Sequence, residues 1–245
     1  MVIIMIFSYR FAVSPVAAGD CGRAYLLYSA LLRLLPKDCA AAVHSGSGAS
    51  VAQFLYFDDA NKRSVWQLSV FGEVADAVSQ TLDGLSSLRL NGVPVTLTLL
   101  EKTVLRAEEL IASARETAPL RSVVINVLSP TAFKQDGRYT VLPSEKLTVQ
   151  SLTAKWNAAF PEHRIDDAEA VMRLTQGVFI SDHSLSCRHF RLKGVSIPGF
   201  LGTFTLSSCL TGSDAELFAL LMRFSEFSGL GIKTALGMGG VEIKY

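Results

Sequence analysis

An α+β protein built from two tandem ferredoxin-like (βαββαβ, RRM-like) domains is the fold class the sequence predicts. Two observations carry that expectation. The order strand, helix, strand, strand, helix, strand is written twice along the chain, which is the split βαβ pattern. With 245 residues, 49% of them hydrophobic and 18% charged, the chain can bury one large core or two small ones. We assign residues 1–113 to a first domain and 120–245 to a second.

The elements follow in order. Residues 3–13 are apolar and strand-like, and Asp20 stands at an N-cap position before the helix GRAYLLYSALLRLL, which Pro36 closes. QFLYFDD and RSVWQLSVFG are rich in β-branched and aromatic residues around an Asn-containing turn and read as a hairpin. EVADAVSQTLDG is a helix ending at Gly84, and LRLNGVPVTLTLLEKTVLR returns as strand around an Asn-Gly turn. AEELIASARETAP shows no strong core pattern and ends at Pro119, so it reads as the linker.

The order then restarts. RSVVINVLSP is a strand, and KLTVQSLTAKWNAAF is a helix with Leu152, Trp156 and Phe160 on one face at i, i+4, i+8, stopped by Pro161. SLSCRHFRLKGV and GFLGTFTLSSC form a hairpin. Ser213 and Glu216 are spaced as a capping box for AELFALLMRFSEF, and VEIKY is the last strand.

Composition narrows the function. Lys and Arg number 23 against 22 Asp and Glu, so any anion site is a local patch and not a global basic signature. The cysteines at 21, 39, 187 and 209 are too dispersed for a CxxC ligand pair and too few for a disulfide scaffold, which points to reduced thiols and a cytoplasmic setting. The apolar start MVIIMIFSYRFAV lacks a basic n-region and a cleavage site, and it reads as a buried strand.

The residues from Gly229 to Gly240, GLGIKTALGMGG, include five glycines and Lys233. Gly229 suits the C′ position of the preceding helix. Gly231, Gly237 and Gly239 repeat a G-x-G spacing that one tight turn does not need, and such loops expose N–H groups as a nest for phosphate oxygens, with Lys233 adding a point charge. The order helix, loop, strand excludes a dinucleotide fingerprint and a P-loop. Close packing of two small domains is the other reading of the same glycines.

The stretch FSEFSGLGIKTALGMGGVEI resembles the glycine-rich C-terminal signature of the CRISPR-associated repeat-processing endoribonucleases of the RAMP superfamily. LSPTAFKQDGRYTVLPSEKLTVQSLTAKWN, GVSIPGFLGTFTL and a helix followed by AAVHSG agree with it, so the resemblance covers nearly the whole chain. It implies tandem ferredoxin-like domains, a repeat RNA substrate, no cofactor, and metal-independent cleavage of precursor CRISPR RNA to a 2′,3′-cyclic phosphate and a 5′-hydroxyl. Other proteins of an effector complex and a second copy of the chain are further partners open to it; a membrane is not.

Such chemistry needs a general base, an acid and a charge-stabilising group. Histidine suits the proton-transfer roles. The resemblance implies that role for His44, which falls in AAAVHSGSGAS, read as a loop after the first helix. Tyr28, in the first helix, is the assisting candidate, with Tyr25 one turn away as its competitor. Family members place a lysine soon after the histidine, but residues 45–53 contain no basic residue, which leaves Lys37, Lys62 or Arg63 to fold back to the site.

In the second half, strand alternation puts His189, Arg191 and Lys193 on one face and Arg188, Phe190 and Leu192 on the other. Arg188, His189, Arg191 and Lys193 form a basic stripe suited to RNA phosphates or, equally, to guarding a sheet edge; the resemblance favours RNA. His163 and His183 have no partner pattern. The acidic groups Asp58 with Asp59, and Asp166, Asp167 with Glu169, lack His or Cys at ligand spacing, so no metal site is expected. Two rival readings are a non-catalytic RAMP protein that binds repeat-derived RNA and a small-molecule enzyme or regulatory domain on the same scaffold.

Overall fold

The structure is a computed structural model and describes residues 5–17, 19–45 and 50–245. The first half supplies β1 (Met5–Ser14), α1 (Arg23–Leu32), α2 (Lys37–Ser45), β2 (Val51–Asp58), β3 (Arg63–Val70), α3 (Ala75–Asp83), β4 (Ser87–Leu90) and β5 (Val93–Arg106). Its antiparallel sheet has the order β2-β3-β1-β5-β4. Taking the β4–β5 hairpin as the fourth strand, this is the ferredoxin-like arrangement. Asn91 and Gly92, both at positive φ, make the expected turn between β4 and β5.

The second half runs α4 (Ala107–Thr117), β6 (Ser122–Thr131), β7 (Phe133–Gln135), β8 (Arg138–Thr140), α5 (Glu145–Ala159), α6 (Ala168–Gly177), β9 (Val178–Leu192), β10 (Val195–Ser208), α7 (Gly212–Ser228) and β11 (Val241–Lys244). The four-stranded sheet β11-β6-β10-β9 repeats the ferredoxin-like order, and β7 and β8 pair as a separate small hairpin. The tandem fold is therefore present. Leu152, Trp156 and Phe160 are all buried, as their spacing predicts, and Trp156 and Phe160 pack edge-on against Phe224 of α7.

Three local expectations change, and one helix is added. The segment read as a linker is helix α4, whose Ala107, Leu110 and Ala114 are buried in the same apolar cluster as Val123, Trp156 and Phe218. Its inward stripe is mostly alanine, which mutes the apolar pattern while favouring helix. The Ser213–Glu216 capping box does not form: Thr211 is the N-cap of α7, and Glu216 instead accepts from Arg115 of α4 at 3.3 Å. Asp20 precedes α1 and pairs with Arg23, but Gly22 is the cap residue. The cluster around Asp167 belongs to α6, where Asp167 caps the helix by accepting from Glu169 N at 2.8 Å and Ala170 N at 3.0 Å.

The two halves share their core. Ile6, Ala52 and Phe71 of the first half lie in the large apolar cluster of the second, with Phe71 edge-on to Phe224 at 5.8 Å. Gly240 sits at the same junction, where a Cβ would run into the ring of Phe54 on β2. Among the described residues no helix is long and apolar enough to cross a membrane.

Candidate active site

α1 buries Ala24, Leu27, Tyr28 and Leu31 against the first sheet. Tyr28 is 3% exposed, and burial raises its pKa, with the Tyr25 phenol acting in the same direction, so it stays a neutral hydroxyl donor. The first part of AAAVHSGSGAS, expected to be a loop, is instead the C-terminal half of α2. Its run KDCAAAV is rich in alanine, and a proline ahead of a helix leaves no broken hydrogen bond. Val43 points into the core and His44, in the last turn, stays exposed. Residues 46–49 of the small-residue stretch lie outside the described residues.

The glycine-rich connection between α7 and β11 is buried along most of its length. Its N–H groups are largely committed within the chain: Gly229 to Ser225 O at 2.8 Å, Leu230 to Gly239 O at 2.7 Å, Ile232 to Ala132 O at 2.9 Å and Gly239 to Pro130 O at 3.1 Å. Gly231 N donates to Ser151 Oγ at 3.1 Å and Gly240 N to Ser129 Oγ at 2.8 Å. Gly237 packs against Ala24 and Phe190. The glycines thus allow close approach of backbone to backbone, and the segment from Gly231 to Leu236 is what they hold in place. At Gly231, φ is +75° and a Cβ would collide with the Ala132 carbonyl. Gly231→Ala is expected to lower stability by about 2–3 kcal/mol, read by urea unfolding, because strain and steric conflict add there.

That segment forms one wall of a cleft of about 560 Å³. Tyr28 and His44 come to it from the first half, and Lys155 and Lys233 from the second. Lys233 takes the left-handed conformation with φ 57°, and its carbonyl accepts from Leu236 N at 2.9 Å and Met238 N at 3.3 Å, which turns the chain into a short 3-10 turn over residues 234–236. Tyr25 is elsewhere: its ring lies under the Lys193 ammonium at 5.3 Å. The structure therefore separates the two tyrosines.

Lys155 was missed by sequence reasoning. It lies on α5 between Ala154 and Ala158, which also line the cleft, and one turn after Ser151, which holds Gly231. The residue as a whole is half-buried, and burial lowers its pKa to about 7. Nζ donates to Gly229 O at 2.8 Å and Ser228 O at 3.2 Å, the carbonyls at the C-terminal end of α7. Those acceptors and the helix dipole favour the ammonium and so oppose the desolvation. Two of its three donors are used and one is left. The three cations that the sequence offered in its place behave differently: Lys62 pairs with Asp59 and Arg63 with Asp58 at 3.5 Å in the β2–β3 turn, and Lys37 does not line the cleft.

The basic stripe lies outside this cleft. Phe190 and Leu192 of β9 are buried while Arg188, His189 and Arg191 are exposed, and Lys193 sits in the β9–β10 turn at φ 48°. His163 Nε2 lies 3.2 Å from Glu108 Oε1, tying α4 to the end of α5. His183 is exposed on β9.

A sequence model of the CRISPR-associated endoribonuclease Cas6 family matches residues 125–241. The curated Cas6 endoribonuclease of Streptococcus thermophilus is 30% identical over 172 residues, which are 69% of this chain and 70% of that protein. The chain belongs to the Cas6 family. The Mycobacterium tuberculosis Cas6 endoribonuclease is 34% identical over 160 residues, 64% of this chain and half of that protein's length. A Cas6 structure with bound product superposes with a TM-score of 0.79 at 21% identity, covering 98% of this chain and all of the other, and a Thermus thermophilus Cas6 does so with 0.74 at 20%, covering 99% and 98%. These two establish shared fold. The segment matched by the Cas6 model holds Lys155, the Arg188–Lys193 stripe and the glycine-rich loop, whereas Tyr28 and His44 lie before it.

Proposed function

We propose that this chain cleaves precursor CRISPR RNA within its repeats, in a cleft assembled from both ferredoxin-like halves. The observation that carries the proposal is the convergence of His44, Tyr28, Lys155 and Lys233 on one cavity, a set that matches what RNA cleavage by its own 2′-hydroxyl requires. His44 takes the proton of the 2′-hydroxyl, O2′ bonds to phosphorus, and the bond from phosphorus to O5′ breaks. Lys155 gives a proton to the departing O5′, for which a pKa of about 7 is well matched near neutrality. Its charge and that of Lys233 stabilise the phosphorane oxygens, and the neutral Tyr28 hydroxyl orients the phosphate. The products are a 2′,3′-cyclic phosphate and a 5′-hydroxyl.

The lysine expected after His44 is supplied from α5, which weighs against the non-catalytic alternative. RNA contacts from the loop come from the Lys233 side chain and the wall of residues 231–236, with Gly229, Gly237 and Gly239 holding that wall rather than offering a nest. Repeat RNA incubated with the purified chain in excess EDTA is expected to be cut at one position, and the same RNA with a 2′-deoxy nucleotide there to survive. Cleavage of the deoxy substrate would overturn this chemistry.

A further inference from the structure

A second concavity, of about 300 Å³, also lies between the halves. Cys21 from the segment before α1, Tyr56 and Phe57 from β2, Pro130 from β6, and Arg188 with His189 from β9 line it. It is not a branch of the His44 cleft. Ala132, Phe190, Leu192, Ile197 and Met238 form a small buried cluster between the two, touched by Cys21 towards one cavity and by Ile232 and Leu236 towards the other.

Its chemistry is specific. The walls are apolar and aromatic, while the Arg188 guanidinium at its edge is exposed, and among the described residues its one hydrogen bond is to the Cys187 carbonyl at 3.4 Å. Asp20, the one acidic residue among those lining the cavity, is already paired with Arg23. The Ser64 hydroxyl is spent on Val16 O at 2.9 Å. An apolar slot with an unneutralised cation at its edge suits a ligand with a flat ring and an attached anion. The volume is at the small end of ligand pockets and excludes a base pair.

We infer that this slot receives one unpaired nucleotide of the RNA substrate, its base inserted beside Tyr56 and its phosphate held by Arg188. The inference rests on the proposed RNA-processing function and extends it: the substrate must present an unpaired residue away from the scissile phosphate, because bases are read by stacking only once they are splayed from a helix. It also gives the basic stripe a defined end, with Arg191 and Lys193 continuing along the backbone path past α1.

The test uses the full-length His44→Ala chain, which keeps the RNA intact, and repeat RNAs carrying a single 4-thiouridine at each unpaired position in turn. Irradiation is expected to join one position to the peptide containing Tyr56 and Phe57. Arg188→Ala should weaken binding of the intact repeat about tenfold yet change little for RNA with a neutral methylphosphonate at the crosslinked nucleotide, and Leu201→Trp, which fills the slot from its β10 wall, should weaken it about tenfold yet change little for RNA made abasic there. Arg188 is exposed and its replacement leaves the core alone, so it reports even where Leu201→Trp fails to fold. Crosslinks confined to other peptides, equal weakening of the methylphosphonate RNA by Arg188→Ala, or equal weakening of the abasic RNA by Leu201→Trp, would overturn the slot. Competition by free nucleoside monophosphates at micromolar concentration would do the same by assigning the site to a mononucleotide. If the wild-type chain neither binds nor cuts repeat RNA, it is the RNA-processing function that falls.

Discussion

His44→Ala is expected to slow single-turnover cleavage of repeat RNA on the order of 10²-fold or more, while the Kd for that RNA stays within about twofold. The reasoning is positional. His44 is exposed on the last turn of α2 and lines the cleft, and among the described residues no hydrogen bond or ion pair involves its side chain, so its loss removes a proton-transfer group and little else. Thermal unfolding of the variant should match the wild type. Undiminished cleavage would remove His44 from the mechanism, and parallel losses of binding and rate would make it a binding residue.

Lys155 carries the second large effect, and its signature is a pH dependence. Burial places its pKa near 7 in the free chain, so as pH rises through about 7 the ammonium is lost, and with it the acid and the charge. The profile of kcat/KM should therefore fall on the alkaline side of about pH 7, by about tenfold per unit once the group is mostly neutral. Lys155→Met should lower the rate on the order of 10²-fold, the scale for losing an electrostatic donor at a reacting phosphate. Lys155→Arg keeps its charge throughout, so a slower enzyme without that alkaline limb is expected. An unchanged limb in Lys155→Arg would assign the ionisation to another group.

Much of this was legible in the sequence where the signal is local. Strand and helix periods, the Asn91-Gly92 turn and the stop at Pro161 are all read from adjacent residues, and together they yield the doubled ferredoxin-like order. The α4 and α6 helices were not legible, since an alanine stripe gives little periodic contrast and Asp167 beside Asp166 and Glu169 looks like a surface acid cluster until its hydrogen bonds are seen. The glycine-rich loop was legible as a special segment, but which of its two readings holds depends on partners such as Ser129, Ser151 and Ala132, far away in the chain. Lys155 illustrates the same limit. In sequence it is one more lysine on an amphipathic helix, and only the packing of α5 against α7 and the glycine-rich loop brings it to the cleft that His44 also lines.

The central claim is that His44 and Lys155, from different halves of the chain, act as one site. The most direct test is a double-mutant cycle on the single-turnover cleavage rate with His44→Ala, Lys155→Met and the pair together. Groups serving one transition state should be strongly non-additive, leaving the double variant about as slow as the slower single one. Losses that multiply, with the double variant slower by the product of the two single effects, would contradict the shared site.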